Sequence, residues 1–233
     1  MRSDVFEGEA PADYLARLAV LPFGKAYKSL ALRELAIAAG HVVVDLGCGP
    51  GADLEAFAAA TGPSGAVIGV DSDPEAVRAA GRSQRGRPWV RVQRGDIHSV
   101  ELPDAGADRV HADRVLQHVA DPARVGAQAR RLLRAGGRAV FAEPDYDTLV
   151  VDHPDAGLMR AYRRFVVERV IRNPGIGRQL ARLATDAGFG STRVVPVTSV
   201  FDDVTEADKV FGFERVTRRA VAAGYLDPQA AEA

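Results

Sequence analysis

Asp45, Gly47, Gly49 and Gly51 occupy alternate positions at the end of the apolar run Val42-Val43-Val44. Glycines so spaced let the backbone turn sharply and approach a ligand closely. The segment 53–60 that follows is rich in helix formers, with Leu54, Phe57 and Ala58 on one side. Strand, glycine loop and helix N-terminus make a corner whose unpaired N–H groups and partial positive charge face outward. Gly47, Gly49 and Ala52, with Asp71 twenty residues beyond Gly51, satisfy the spacing of a dinucleotide site. Asp45 opposes that reading. Two residues before the first glycine and aimed into the loop's mouth, a carboxylate repels a pyrophosphate and attracts a ligand that carries an ammonium group.

No other stretch offers a nucleophile or a metal motif. The five histidines, His41, His98, His111, His118 and His153, lack any metal-ligand spacing such as H-E-x-x-H. His41 and His111 read as structural, whereas His118 follows the fourth apolar run and is the candidate general base. Cys48 is the only cysteine, which excludes a disulfide framework and a cysteine cluster, and inside the glycine loop it serves as a small residue. Asp113 and Glu143 stand where two strands end, and Pro144 beside Glu143 brings no side-chain oxygen to add to theirs. The octahedral oxygen set is incomplete, and no metal is expected.

These residues need a sheet to position them. Apolar runs at 42–46, 66–70, 89–93, 108–112 and 138–142 read as strands, with helices between them at 53–60, from Asp73-Pro74-Glu75 onward, and from Asp121-Pro122 to a stop at Gly136-Gly137. Such alternation builds an α/β, Rossmann-like, doubly wound and mostly parallel sheet, with ligands at the carboxyl ends of its strands. Asp45, Asp71, Asp96, Asp113 and Glu143 all fall at or just past such ends. Two further helices are expected before the loop, at 13–21 and 25–39, separated by Pro22-Phe23-Gly24, and the first carries Tyr14. Composition sets the bounds. The 233 residues suffice for one large domain or two small ones, 30 basic side chains balance 31 acidic ones, and the net charge of −1 offers no basic field for nucleic acid. No signal peptide or membrane span is evident, so a cytoplasmic protein is expected.

The run from the glycine loop through Gly69-Val70-Asp71, Gly95-Asp96-Ile97, Leu116-Gln117-His118-Val119 and Leu132-Leu133-Arg134-Ala135-Gly136-Gly137 resembles the class I S-adenosylmethionine (SAM) methyltransferases. Within them it is similar to the small-molecule branch that includes the ubiquinone and menaquinone biosynthesis enzymes. The resemblance implies SAM as cofactor, with Asp71 on the ribose hydroxyls, Asp96 on the adenine amino group, and Asp45, Gly47, Gly49 and Gly51 around the methionine part. Ser72, Ile97 and Asp113 complete the implied cofactor set. The single domain 1–233 would then carry an N-terminal helical lid, 1–39, and a substrate-covering insertion, 145–178. Tyr14, Arg114, Tyr146 and Arg163 are the expected acceptor contacts. The implied activity is methyl transfer to a small organic acceptor, without nucleic acid or membrane, and with an oligomer open. An NAD-dependent oxidoreductase and a non-catalytic SAM-fold module are the alternatives.

The carboxyl-terminal third departs from the family's seven-stranded sheet. A helix at 178–187 and a sixth strand at 193–201, with Pro196 inside it, are expected, then a helix at 206–223 and a new helix start at Asp227-Pro228. No apolar run remains for the final antiparallel strand, so a shortened form of a longer protein is expected. Its sixth strand would pair directly with the fifth or wait for a strand from another chain.

Overall fold

The computed structural model describes residues 18, 20–229 and 231. Five strands, β1 (Val42–Leu46), β2 (Ala66–Asp71), β3 (Val90–Arg94), β4 (Ala107–Asp113) and β5 (Leu133–Ala142), form one parallel sheet in the order β3-β2-β1-β4-β5. Eight α-helices among the described residues are α1 (Pro22–Leu35), α2 (Leu54–Thr61), α3 (Pro74–Ser83), α4 (Pro122–Leu132), α5 (Ala156–Phe165), α6 (Ile176–Asp186), α7 (Val204–Phe211) and α8 (Phe213–Ala222).

Strand parity divides the core. Val43 and Val67 share one face with Leu35 of α1, Leu54, Phe57 and Ala58 of α2, and Ala80 of α3. Val44, Leu46, Val70, Val110 and Ala112 point the other way, onto Val125, Ala129 and Leu132 of α4 and Ile176 of α6. Helices therefore cover both faces, as a buried parallel sheet requires. The order reverses between β1 and β4, and the crevice at that switch is where such sheets bind ligands. A separate cluster joins α5 to α8 through Tyr162, Phe165, Val166, Val216 and Ala220.

Several boundaries differ from the sequence reading for identifiable reasons. Leu18 and Val20 are helical and the break falls at Leu21, so Pro22 is not in the break but starts α1, whose first turn needs no N–H from it. The buried stripe of α1 is Gly24, Tyr27, Ala31 and Leu35; Ala38 is exposed beyond the helix. Helix α4 ends at Leu132 rather than at the glycines, because Leu133 already pairs with Ala107, and the register shifts before Arg138 joins Arg109. The expected helix at 206–223 is two helices, broken at Gly212 with φ +60°.

The expected sixth strand is a correction. Residues 193–201 form no ladder with β5 or any other described strand. Pro196 lacks the N–H a ladder uses, Val194 and Val200 stay exposed, and Phe201 packs instead on Phe23 and Phe211.

Candidate active site

The glycine loop is a backbone device. Gly47, Gly49 and Gly51 have φ of +74°, +52° and +89°, a region that side chains disfavour. The Gly47 and Cys48 amides both donate to the Val70 carbonyl, at 2.8 and 3.1 Å, which ties the loop to the end of β2. Asp71 fixes it from the other side: one carboxylate oxygen accepts from the Gly49 amide at 2.8 Å and the other from the Asp73 amide at 2.9 Å. Each oxygen keeps a further lone pair for a ligand hydroxyl.

Across the switch crevice, β4 ends at Asp113, and the chain turns through Arg114, which adopts φ +57°. Glu143, just past β5, shapes that turn by accepting from the amides of Val115, Leu116 and Gln117 at 2.7, 2.5 and 3.3 Å. Burial pushes its pKa up to about 8, against the opposing pull of those amides. With its oxygens so engaged, Glu143 does not form a cation site with Asp113, and no group of three metal-ligating side chains occurs among the described residues.

Asp113 itself is claimed by α1. One of its oxygens accepts from the Tyr27 hydroxyl at 2.9 Å and from Lys28 Nζ at 2.5 Å, while Lys28 also reaches Asp53, at the start of α2, at 2.6 Å. Burial disfavours the Lys28 ammonium, but Asp113 and Asp53 outweigh it and hold the pKa above the usual lysine range. The second oxygen of Asp113, Oδ1, is buried and has no hydrogen-bond donor among the described residues. An acceptor left so is costly unless a ligand donates to it, and a ligand ammonium fits that need.

Asp45 lies elsewhere than the mouth of the loop. It is 3% exposed and bonded to Nδ1 of His111, its neighbour on β4, at 2.8 Å, with the Phe57 ring edge-on to the imidazole. Strand parity sends its side chain toward the helix-covered face that holds Val43, so it sits beneath the loop. Burial disfavours the charged imidazole, yet the adjoining carboxylate raises the His111 pKa above its ordinary value.

The remaining expected residues divide. Ser72 is exposed beside Asp71. Asp96 is exposed at the end of the β3 loop, held below the usual carboxylate range by the His98 amide and then its ring. The Ile97 side chain belongs to the core, so only its backbone can meet a ligand. His118 stands in the turn after β4, its amide donating to Val115 at 2.9 Å. Arg114 donates to the Tyr146 hydroxyl at 3.2 Å, joining the β4 turn to the short 3₁₀ helix Tyr146–Thr148. Arg163 lies farther along, on α5, in a cleft with Leu149 and Met159. Tyr14 is outside the described residues. Tyr27, Lys28 and Asp53 were not among the expected site residues; the signal available was the Gly24-Tyr27-Ala31 spacing, which turns Tyr27 inward.

Residues 44–141 match the model of a methyltransferase domain. A protein encoded in transposon Tn4556 of Streptomyces fradiae, itself uncharacterised, is 51% identical over 98% of this chain and 67% of its own length. An uncharacterised methyltransferase of Mycobacterium ulcerans is 36% identical over 45% of this chain, which spans 39% of that protein's length. Among solved structures, a SAM-dependent methyltransferase of Aquifex aeolicus superposes with a TM-score of 0.59 at 18% identity, over 83% of this chain and 90% of its own.

Proposed function

We propose that the chain, whose residues 44–141 match a methyltransferase domain, is a class I SAM-dependent methyltransferase and methylates a small organic acceptor held between the switch crevice and the segment 145–178. The observation that carries the reading is Asp113 Oδ1 beside the glycine loop, a buried acceptor with no donor among the described residues. In this reading the loop and Asp113 hold the methionine part of SAM, Asp71 its ribose and Asp96 its adenine. Bound SAM supplies a methyl group on a sulfonium that departs as a neutral thioether. The protein's task is then mainly to hold the acceptor close and aligned and to keep water out. Helix α1, fastened over the crevice by Tyr27 and Lys28, and the 145–178 segment provide that enclosure. His118 takes up a proton where the acceptor loses one. A small-molecule specificity like that of the quinone-biosynthesis branch, a cytoplasmic setting and independence of nucleic acid belong to the same proposal. The near-zero net charge supports them, and no helix of the described residues is long and apolar enough to cross a membrane.

Calorimetry with SAM tests the cofactor part. Asp71→Asn and Asp113→Asn each remove a charge-assisted contact, with an expected loss of roughly 1.5–3 kcal/mol, tenfold or more in Kd. If both variants bind SAM as tightly as the parent, the site is elsewhere. Transfer of labelled methyl to pooled small-molecule acceptors, reduced in His118→Asn with an altered pH profile, tests the remainder.

A further inference from the structure

The proposed acceptor site has a second part whose chemistry narrows the substrate. After the 3₁₀ helix Tyr146–Thr148, the chain and α5 line an open cleft. Its walls are Leu149, Val150, Met159 and Tyr162, and its charged members are Arg160 and Arg163. Tyr162 is buried, while Val150 is 84% exposed, an apolar side chain that nothing in the described fold covers.

The two arginines distinguish this cleft from an ordinary apolar recess. Arg163 is half-buried, and among the described residues its guanidinium has neither an ion pair nor a side-chain hydrogen bond. Other arginines of the same region are matched: Arg178 pairs with Asp145 and Asp147, and Arg164 with Glu168. Asp155 is the acid whose field reaches Arg160, and one of its oxygens, Oδ1, accepts from the Gly157 and Leu158 amides at the start of α5. A half-buried cation without a counter-charge, beside an apolar wall, is complementary to an oxyanion on an apolar body. One side chain links the cleft's wall to the crevice. Tyr146, which accepts from Arg114 next to Asp113, packs against the cluster that includes Tyr162.

We propose that the methyl acceptor is an apolar molecule bearing one oxyanionic group, carboxylate or phosphate, which Arg163 binds with Arg160 at the rim, while Leu149, Val150, Met159 and Tyr162 take the apolar body. This rests on the methyltransferase reading for the word acceptor, but the binding site is testable without SAM. Octanoate, octyl phosphate and octan-1-ol are titrated calorimetrically into the full chain. At least one of the two anions is expected to bind tenfold or more tightly than the alcohol, and comparison of the two identifies the oxyanion preferred. Arg163→Gln should abolish that tenfold preference and leave octan-1-ol unchanged, and Arg163→Lys should restore part of it. Equal binding of anion and alcohol, or an anion preference untouched in Arg163→Gln, overturns the proposal. The two readings fail separately. Loss of SAM binding with an intact Arg163-dependent anion preference removes methyl transfer and keeps the site. SAM binding without that preference keeps methyl transfer and removes the oxyanion site.

Discussion

Lys28 is the sharpest place to perturb the chain, because one ammonium links three elements. Its Nζ lies 2.5 Å from Asp113 and 2.6 Å from Asp53, and the side chains are 16%, 7% and 18% exposed. Lys28→Met preserves the aliphatic stem and leaves two carboxylates facing each other with no cation between them. Removing one partner of a buried pair costs about 3–5 kcal/mol. The residual exposure places Lys28→Met near the lower end, at about 3 kcal/mol. Asp113→Asn keeps an oxygen for Tyr27 and Lys28 and removes the charge, at about 2 kcal/mol. In the double variant the bond between them is absent from both sides, so the total should be about 3 rather than 5 kcal/mol, a coupling near 2 kcal/mol. Urea unfolding at pH 7, followed by circular dichroism and by the single tryptophan, Trp89, measures each corner of the cycle. A partly buried bond should keep most of its coupling in 0.5 M salt, where an exposed one would be screened. If the two single effects add to within about 0.5 kcal/mol, α1 is not fastened through this pair in solution, and its role as a cover for the crevice falls with it.

Two further outcomes follow from the loop and its neighbours. Gly47→Ala places a methyl 2.5 Å from Cγ2 of Val115 at φ +74°, which should cost about 2–4 kcal/mol from strain and clash together; Val115→Ala in the same chain should recover only the clash share, and full recovery would contradict the strain argument. Glu143 has a folded pKa of about 8, raised by burial above its ordinary 4.5. Its contribution to stability is therefore complete below about pH 4.5 and lost as pH rises through 8, by up to about 5 kcal/mol. Denaturation of the parent and of Glu143→Gln from pH 5 to 9 should show that slope in the parent alone, and equal slopes would refute it.

Much of the fold was legible because each signal was local. The five strands, the N-capping roles of Asp73 and Asp121, and the buried face Leu54-Phe57-Ala58 all depend on periodicity and on neighbours within one turn. The errors arose where distant contacts decide. Leu133 reads as helix on its own and becomes strand because Ala107 offers a ladder. The valines at 194, 197 and 200 have strand propensity, but with Pro196 among them they form no ladder on the β5 edge, and β-propensity without a partner does not make a strand. The methyltransferase domain and its cofactor were legible in the glycine loop and the motifs after it, whereas the fastening of α1 to Asp113 by Tyr27 and Lys28 was not, since nothing near them in sequence indicates Asp113.

The five acids at strand ends show why position alone does not assign a role. In sequence they look alike, yet the pleat and the neighbouring strand give each a different counterpart. Asp45 meets His111 across the β1–β4 ladder, and Glu143 meets three backbone amides of the turn after β4. Both are thereby engaged by the protein's own groups, which sets them apart from the other three acids. Of these, Asp96 is exposed and screened by solvent, so its contact with a ligand is weak unless the ligand covers it. Asp71 and Asp113 remain. The first holds the loop while keeping lone pairs open, and the second has one oxygen taken by α1 and one with no donor among the described residues. Discrimination for a cationic ligand should thus reside at the end of β4, on the far side of the crevice from the glycines that first drew attention to it.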